Sequence, residues 1–257
     1  MGIPRGAFNS KRSMLITLLF FTSVTAWGLT GEAEKVSVEV YYESLCPDSA
    51  SFIVNYLDKL FTDRLIDIVD LRLIPYGNAR IGSNETINCQ HGPYECVLNT
   101  IEACAIDAWP NLNQHFPFVS CIESFVWAHE ATKWKTCFEK TGLDSKVIMG
   151  CYESGYGKKL ELQYAAETNS LKPPHQYVPW VVLNGQPLYE NYENVEEYIC
   201  KAYKGTLPQA CGNLLKSLSS ANAEGKGDGN RYCMKDTLAM APYDSWLVWR
   251  SSIAGVV

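Results

Sequence analysis

Val36-Ser37-Val38-Glu39-Val40-Tyr41-Tyr42-Glu43-Ser44-Leu45-Cys46-Pro47-Asp48-Ser49 is the stretch that decides the fold. Its first seven residues largely alternate apolar and polar side chains, the period of a half-buried strand. After a short turn, Phe52, Ile53, Tyr56, Leu57, Leu60 and Phe61 recur at helical spacing. Cys46 therefore sits where a strand passes into a helix. A sulfur there faces unpaired N–H groups and the positive end of the helix dipole, which favour the thiolate. Ser49, three residues along, can donate a hydrogen bond to that thiolate, whereas a nearby Asp48 carboxylate disfavours it.

Working outward, residues 67 to 74 set Val69, Leu71 and Leu73 against Asp70 and Arg72, a second strand that ends in the turn Pro75-Tyr76-Gly77-Asn78. A β-α-β unit follows. From about residue 94 to 140 the pattern turns helical, with Trp127 and Trp134 read as core packing. Residues 157–168 predict a helix, Tyr177 to Leu183 a strand entering a tight hairpin at Asn184-Gly185, and residues 194–203 a closing helix. Residues 217–230 are rich in Ser, Ala, Gly and charge without an apolar period, so a flexible tail is expected. The predicted division is a leader at 1–28, an α/β domain at 34–212 with a helical insertion at about 78–150, and a flexible or weakly structured tail at 213–257.

The leader reading rests on Arg5, Lys11 and Arg12 ahead of the apolar run 14–24, with small residues near 26–28 for cleavage. That run is too short for an ordinary membrane span, and no other stretch is long enough. The formal net charge is −6, about −9 without the leader's three basic residues, which repels phosphate backbones and argues against nucleic acid. Ten cysteines downstream of an export signal predict an oxidising compartment and paired sulfurs. Asn84-Glu85-Thr86 is a glycosylation sequon. Cys89, Cys96, Cys104 and His91 raise the question of zinc. Their spacing is unlike common zinc loops, so structural bridges and no metal are expected.

Cys89-Gln90-His91-Gly92-Pro93-Tyr94-Glu95-Cys96-Val97-Leu98-Asn99 through Cys104 resembles the signature Cys-Gln-His-Gly-x-x-Glu-Cys-x-x-Asn-x-x-x-x-Cys of the gamma-interferon-inducible lysosomal thiol reductase family. Tyr41 to Cys46, Pro75 to Ala79 and Pro173 to Trp180 resemble the same family. The resemblance implies a thioredoxin-like fold with an inserted, disulfide-bonded helical subdomain, exported and glycosylated. Its implied activity is thiol–disulfide exchange with disulfide-containing proteins or peptides, in a secreted or a lysosomal or vacuolar setting. It implies no bound cofactor, only an external thiol such as glutathione. Val178-Pro179 resembles the proline that such folds keep in cis beside the reactive sulfur, where the backbone pairs with an extended substrate.

One departure stands out: Ser49 occupies the position of the family's second active-site cysteine. A mixed disulfide on Cys46 then has no Cys-x-x-Cys partner to release it. The expectation is a single nucleophile, Cys46, assisted by Ser49 and by an external thiol. The competing reading is an impaired family member that binds peptides or forms a stable mixed disulfide with a partner. Cys89, Cys96, Cys104, Cys121, Cys137, Cys151, Cys200 and Cys211 are the structural disulfide candidates, with Cys200–Cys211 a local pair and the other connectivity open. Setting Cys46 aside leaves an odd count; Cys233, in the tail, is the candidate for the leftover thiol and for a missing resolving thiol. A cysteine hydrolase with His175 as base lacks its local signatures.

Overall fold

The computed structural model describes residues 1–2, 33–220 and 233–235. Contacts divide the chain into Met1–Glu32 and Ala33–Val257, and every element below belongs to the second unit. Apart from residues 1 and 2, the leader expected at 1–28 lies outside the described residues.

In chain order, β1 (Val36–Tyr42) leads into α1 (Pro47–Phe52), which continues through a π turn at Ile53–Leu57 into α2 (Asp58–Thr62). β2 (Val69–Pro75) follows, then a small hairpin of β3 (Arg80–Ile81) and β4 (Ile87–Asn88). Five helices come next: α3 (Pro93–Ala108), α4 (Leu112–Trp127), α5 (Thr136–Thr141), α6 (Ser145–Glu153) and α7 (Tyr156–Asn169). The chain then forms β5 (Tyr177–Val178), β6 (Trp180–Leu183), β7 (Gln186–Pro187), α8 (Val195–Ala202), α9 (Gln209–Ser220) and β8 (Cys233–Met234).

The central sheet has the order β2-β1-β6-β7, with β1 parallel to β2 and antiparallel to β6. Val36, Val38 and Val40 are buried and Ser37 and Glu39 half-buried, so the alternation in the sequence is the alternation of faces. Parallel neighbours need a long crossover, which the helical run after Cys46 supplies. That run buries Phe52, Ile53, Leu57 and Leu60 against the sheet, about 1.5–3 kcal/mol for each side chain. At the far edge, Asn184 (φ 47°) and Gly185 (φ 76°) both take positive φ, the backbone of a two-residue hairpin whose twist matches its strands.

The helical insertion has its own core. Leu98, Ile101, Phe118, Ile122, Trp134 and Ile148 cluster apart from the sheet, held by Cys104–Cys151 and Cys121–Cys137. Trp134 is in this core, but Trp127 is 48% exposed at the end of α4, so its packing role is not realised. No helix among the described residues is long and apolar enough to cross a membrane.

Two expectations change. The strand read over 177–183 divides at Pro179: Trp180–Leu183 pairs with β1, whereas Tyr177–Val178 pairs with β8. The tail expected from residue 213 begins as helix, since α9 runs to Ser220. Cys211, Leu214 and Leu215 pack from α9 onto the sheet core, and Cys200–Cys211 fastens α9 to α8. Residues 221–232 and 236–257 lie outside the described residues.

Candidate active site

Cys46 is the residue before α1, and Pro47 takes the first helical position, where its missing N–H has no partner to lose. The turn is closed by Cys46 N donating to Glu43 O at 3.2 Å, and the helix begins with Ala50 N donating to Cys46 O at 3.0 Å. Cys46 is fully buried. Its sulfur is bonded to Cys233, 187 residues along the chain. This corrects the expectation of a free Cys46 thiol acting alone. The cause is register: β8 runs antiparallel to β5 with Cys233 opposite Val178, and Val178 O lies 3.7 Å from Cys46 Sγ, so the ladder delivers the second sulfur to the first.

With Cys46 paired, the odd count disappears. Cys89–Cys96, Cys104–Cys151, Cys121–Cys137 and Cys200–Cys211 account for the other eight cysteines, and none is free. Ser49 is fully buried, and its hydroxyl has no hydrogen-bond partner among the described residues. The Val178–Pro179 peptide is cis. Asn84 is exposed, in the turn Ser83–Glu85 between β3 and β4.

The signature residues converge on this sulfur pair from the insertion side. His91 Nδ1 lies 2.5 Å from Glu95 Oε2 and 3.3 Å from Glu43 Oε1, and His91 N donates to Glu95 Oε1 at 3.1 Å. On the other side of the ring, His91 Nε2 is 3.9 Å from Cys233 Sγ. Burial alone pushes the imidazolium down, but hydrogen bonds to Glu43 and Glu95, and their charges, outweigh it and lift His91 to about 10. Burial and the neighbouring Glu95 charge lift Glu43 to about 7, against the pull of His91. His91 is thus a cation held against the sulfurs.

Asn99 of the signature and Asn78 of the turn after β2 fix the backbone. Asn99 Oδ1 accepts from Ser44 N at 2.9 Å, pinning the turn that presents Cys46. Asn78 N donates to Glu43 Oε2 at 2.8 Å. Gly77, at φ 58°, passes so near Glu43 that a Cβ there would meet its side chain at 2.5 Å. Asn78, Arg80 and Gln90 also reach the main chain of β8. Asn78 Nδ2 donates to Cys233 O at 2.8 Å, Gln90 Nε2 to Met234 O at 2.7 Å and an Arg80 guanidinium nitrogen to Lys235 O at 3.2 Å.

Glu43, Asn78, Arg80 and β8 itself were not singled out from sequence as site residues. A lone acidic residue directly after an apolar strand end, three positions before Cys46, was the available signal for Glu43. His175, weighed as a hydrolase base, is buried without a ring partner among the described residues. Burial, with the Lys235 charge adding to it, pushes its pKa down to about 4, so it stays neutral. Among the described residues two groups hold enough donors for a cation, Glu43 with Cys46 and Cys233, and Glu43 with His91 and Glu95. In the first the sulfurs are spent on each other, and in the second Nδ1 is taken by carboxylates.

The sequence model of the family described as gamma interferon inducible lysosomal thiol reductase (GILT) matches residues 37–141. A gamma-interferon-responsive lysosomal thiol protein of Arabidopsis thaliana is 42% identical over 219 residues, covering 81% of this chain and 91% of that protein. A gamma-interferon-inducible lysosomal thiol reductase of Carassius auratus is 38% identical, covering 79% of this chain and 78% of its own length. Among solved structures, reduced DsbA of Mycobacterium tuberculosis superposes with a TM-score of 0.50 at 16% identity, over 71% of this chain and 88% of that one. That likeness shows the α/β thioredoxin-like fold.

Proposed function

Because the chain belongs to the gamma interferon inducible lysosomal thiol reductase family, we propose that it is an exported thiol–disulfide oxidoreductase whose attacking sulfur is Cys46 and whose resolving sulfur is Cys233. The observation that carries this reading is the bond between those two cysteines at the head of the helical run, beside Val178. It supplies the second thiol that Ser49 lacks.

The cycle balances as follows. An external thiol such as glutathione opens Cys46–Cys233: two thiols become one disulfide, and the protein gains two thiols. Cys46 thiolate attacks one sulfur of a substrate disulfide, forming a mixed disulfide and releasing the other as thiolate. Cys233 thiolate then attacks Cys46 Sγ, expelling the substrate's second sulfur and restoring the internal bond. His91, charged and facing Cys233 Sγ, favours the thiolate form of Cys233 both as attacker and as leaving group. The unpartnered Ser49 hydroxyl is a donor available to Cys46 once its sulfur is reduced.

Five disulfides, all ten cysteines used, support an oxidising compartment along the secretory route, with Asn84 as an exposed glycan acceptor. Disulfide-bonded proteins are the substrates of this reading. The test is reduction of insulin by the full chain in glutathione. Cys46→Ser is expected to lower the rate more than 100-fold, roughly 3 kcal/mol of barrier, and Cys233→Ser to accumulate the mixed disulfide while slowing turnover. Wild-type turnover in Cys46→Ser overturns the assignment.

A further inference from the structure

Residues 233–235 are held as a bound peptide is held. Cys233 and Met234 lie extended, paired on one side with Val178 and Tyr177, and Lys235 N donates to Gln176 O at 2.9 Å. On the other side Asn78, Gln90 and Arg80 each donate to one of their three carbonyls. Asn78 and Gln90 also bond each other, Nδ2 to Oε1 at 2.7 Å, which fixes both amides in the donating orientation. All three carbonyls are read through the main chain, while the Met234 side chain is 42% exposed. Such a clamp tolerates almost any sequence and requires only an extended backbone. Cys233 is delivered to Cys46 by that grip.

We propose that Asn78, Arg80 and Gln90 form the second wall, opposite Gln176–Val178, of the cleft that takes an extended, cysteine-bearing peptide, and that they grip its main chain. In this reading Cys233–Lys235 is a built-in stand-in for that peptide. Strand and substrate are alternative occupants of one site. The proposal rests on the exchange reading above and adds its consequence: opening the internal disulfide empties the cleft for substrate. When Cys233 returns to attack Cys46, its strand reclaims the same hydrogen bonds and drives the product peptide out.

The probe is a fluorescein-labelled synthetic peptide of residues 231–237 with serine in place of cysteine, so that binding is non-covalent, read by anisotropy on the full chain. The double variant Cys233→Ser, Lys235→Pro removes the latch and the N–H that pairs with Gln176. It is expected to bind the probe at least tenfold more tightly than the oxidised wild type. Adding Asn78→Ala and Gln90→Ala to that background is expected to cost at least tenfold. Equal binding by wild type and latch variant, or binding indifferent to Asn78 and Gln90, overturns the proposal.

The unmutated chain gives an independent reading. Titrated with glutathione until Cys46 and Cys233 become alkylatable, it should gain probe binding, weaker than that of the latch variant because the tethered strand still competes, and no gain at all counts against the cleft. Cys46→Ser separates the two readings. Undiminished insulin reduction in Cys46→Ser, with probe binding by the latch variant, sinks the exchange chemistry and leaves the cleft, whereas lost reduction in Cys46→Ser with no probe binding by the latch variant sinks the cleft alone.

Discussion

Two buried acidic clusters lie close in this molecule and are handled in opposite ways. At the sulfur site, Glu43 and Glu95 are fully buried around His91, whose ring bridges both carboxylates. Inside the helical layer, Glu102 and Glu123 are equally buried, with the Tyr42 hydroxyl donating to Glu102 Oε2 at 2.7 Å and no cation among their partners in the described residues. Glu123 has no hydrogen-bond donor from the described residues, so the proton between the two acids must be its own. Burial, then the Glu102 charge, raises Glu123 well above the ordinary carboxyl range, and burial raises Glu102 to about 7. An interior without a cation keeps its acids neutral by retaining protons. Charge is maintained at Cys233, where thiolate chemistry needs it.

Removing the cation breaks the contrast most sharply. His91→Gln leaves two buried carboxyls unpaired, and losing one partner of a buried ion pair costs about 3–5 kcal/mol. A fall in Tm on the order of 10 °C at pH 7.5 is expected by thermal denaturation, partly recovered by adding Glu43→Gln. A shift of a degree or less would remove the distinction between the clusters.

A pH series sharpens it. Glu43, Glu102 and Glu161 are raised to about 7 and Glu123 well above the ordinary carboxyl range, all primarily by burial. A raised carboxyl contributes stability that is complete below its unfolded value, about 4.5, and is lost as pH rises through the folded value. His175, lowered to about 4, and His115, lowered by burial, act oppositely, contributing above about 6.5 and losing as pH falls. Four carboxyls outweigh two imidazoles, so Tm should be higher at pH 5.5 than at pH 8, by on the order of 5 °C. A flat or reversed profile contradicts the proton-holding account.

The smallest effect isolates the acid pair. Glu123→Gln replaces a proton-holding carboxyl by an amide that can donate to Glu102, and should stabilise the chain at pH 8 by about 1 kcal/mol with less effect at pH 5. Destabilisation at both pH values would mean that Glu123 is needed as an acid.

Much of this was legible in the residues. The alternation from Val36 to Tyr42 is β1, Asn184-Gly185 turns the expected hairpin between β6 and β7, and Cys200–Cys211 is a bridge that short spacing suggested. The stripe from Phe52 to Phe61 was read as one helix, and only the π turn at Ile53–Leu57 escaped, because a single widened turn preserves the apolar face. The pairing of Cys46 with Cys233 was harder. A two-residue strand has no period to detect, and a contact across 187 residues depends on which edge the fold leaves open. The same limit hid α9, whose apolar face shows only once the sheet core is assembled. Gln90 and Asn78 stood in quoted motifs and Arg80 in none, and no role could be read for any of the three because what they hold is backbone.

The occupant of the cleft belongs to the same polypeptide as the cleft. Covalent attachment gives such a segment an effective concentration on the order of millimolar, so a free short peptide with equal affinity is outcompeted even after the sulfurs separate. The clients favoured by this arrangement are those that bring further contact area of their own, whole unfolded or loosened proteins rather than fragments.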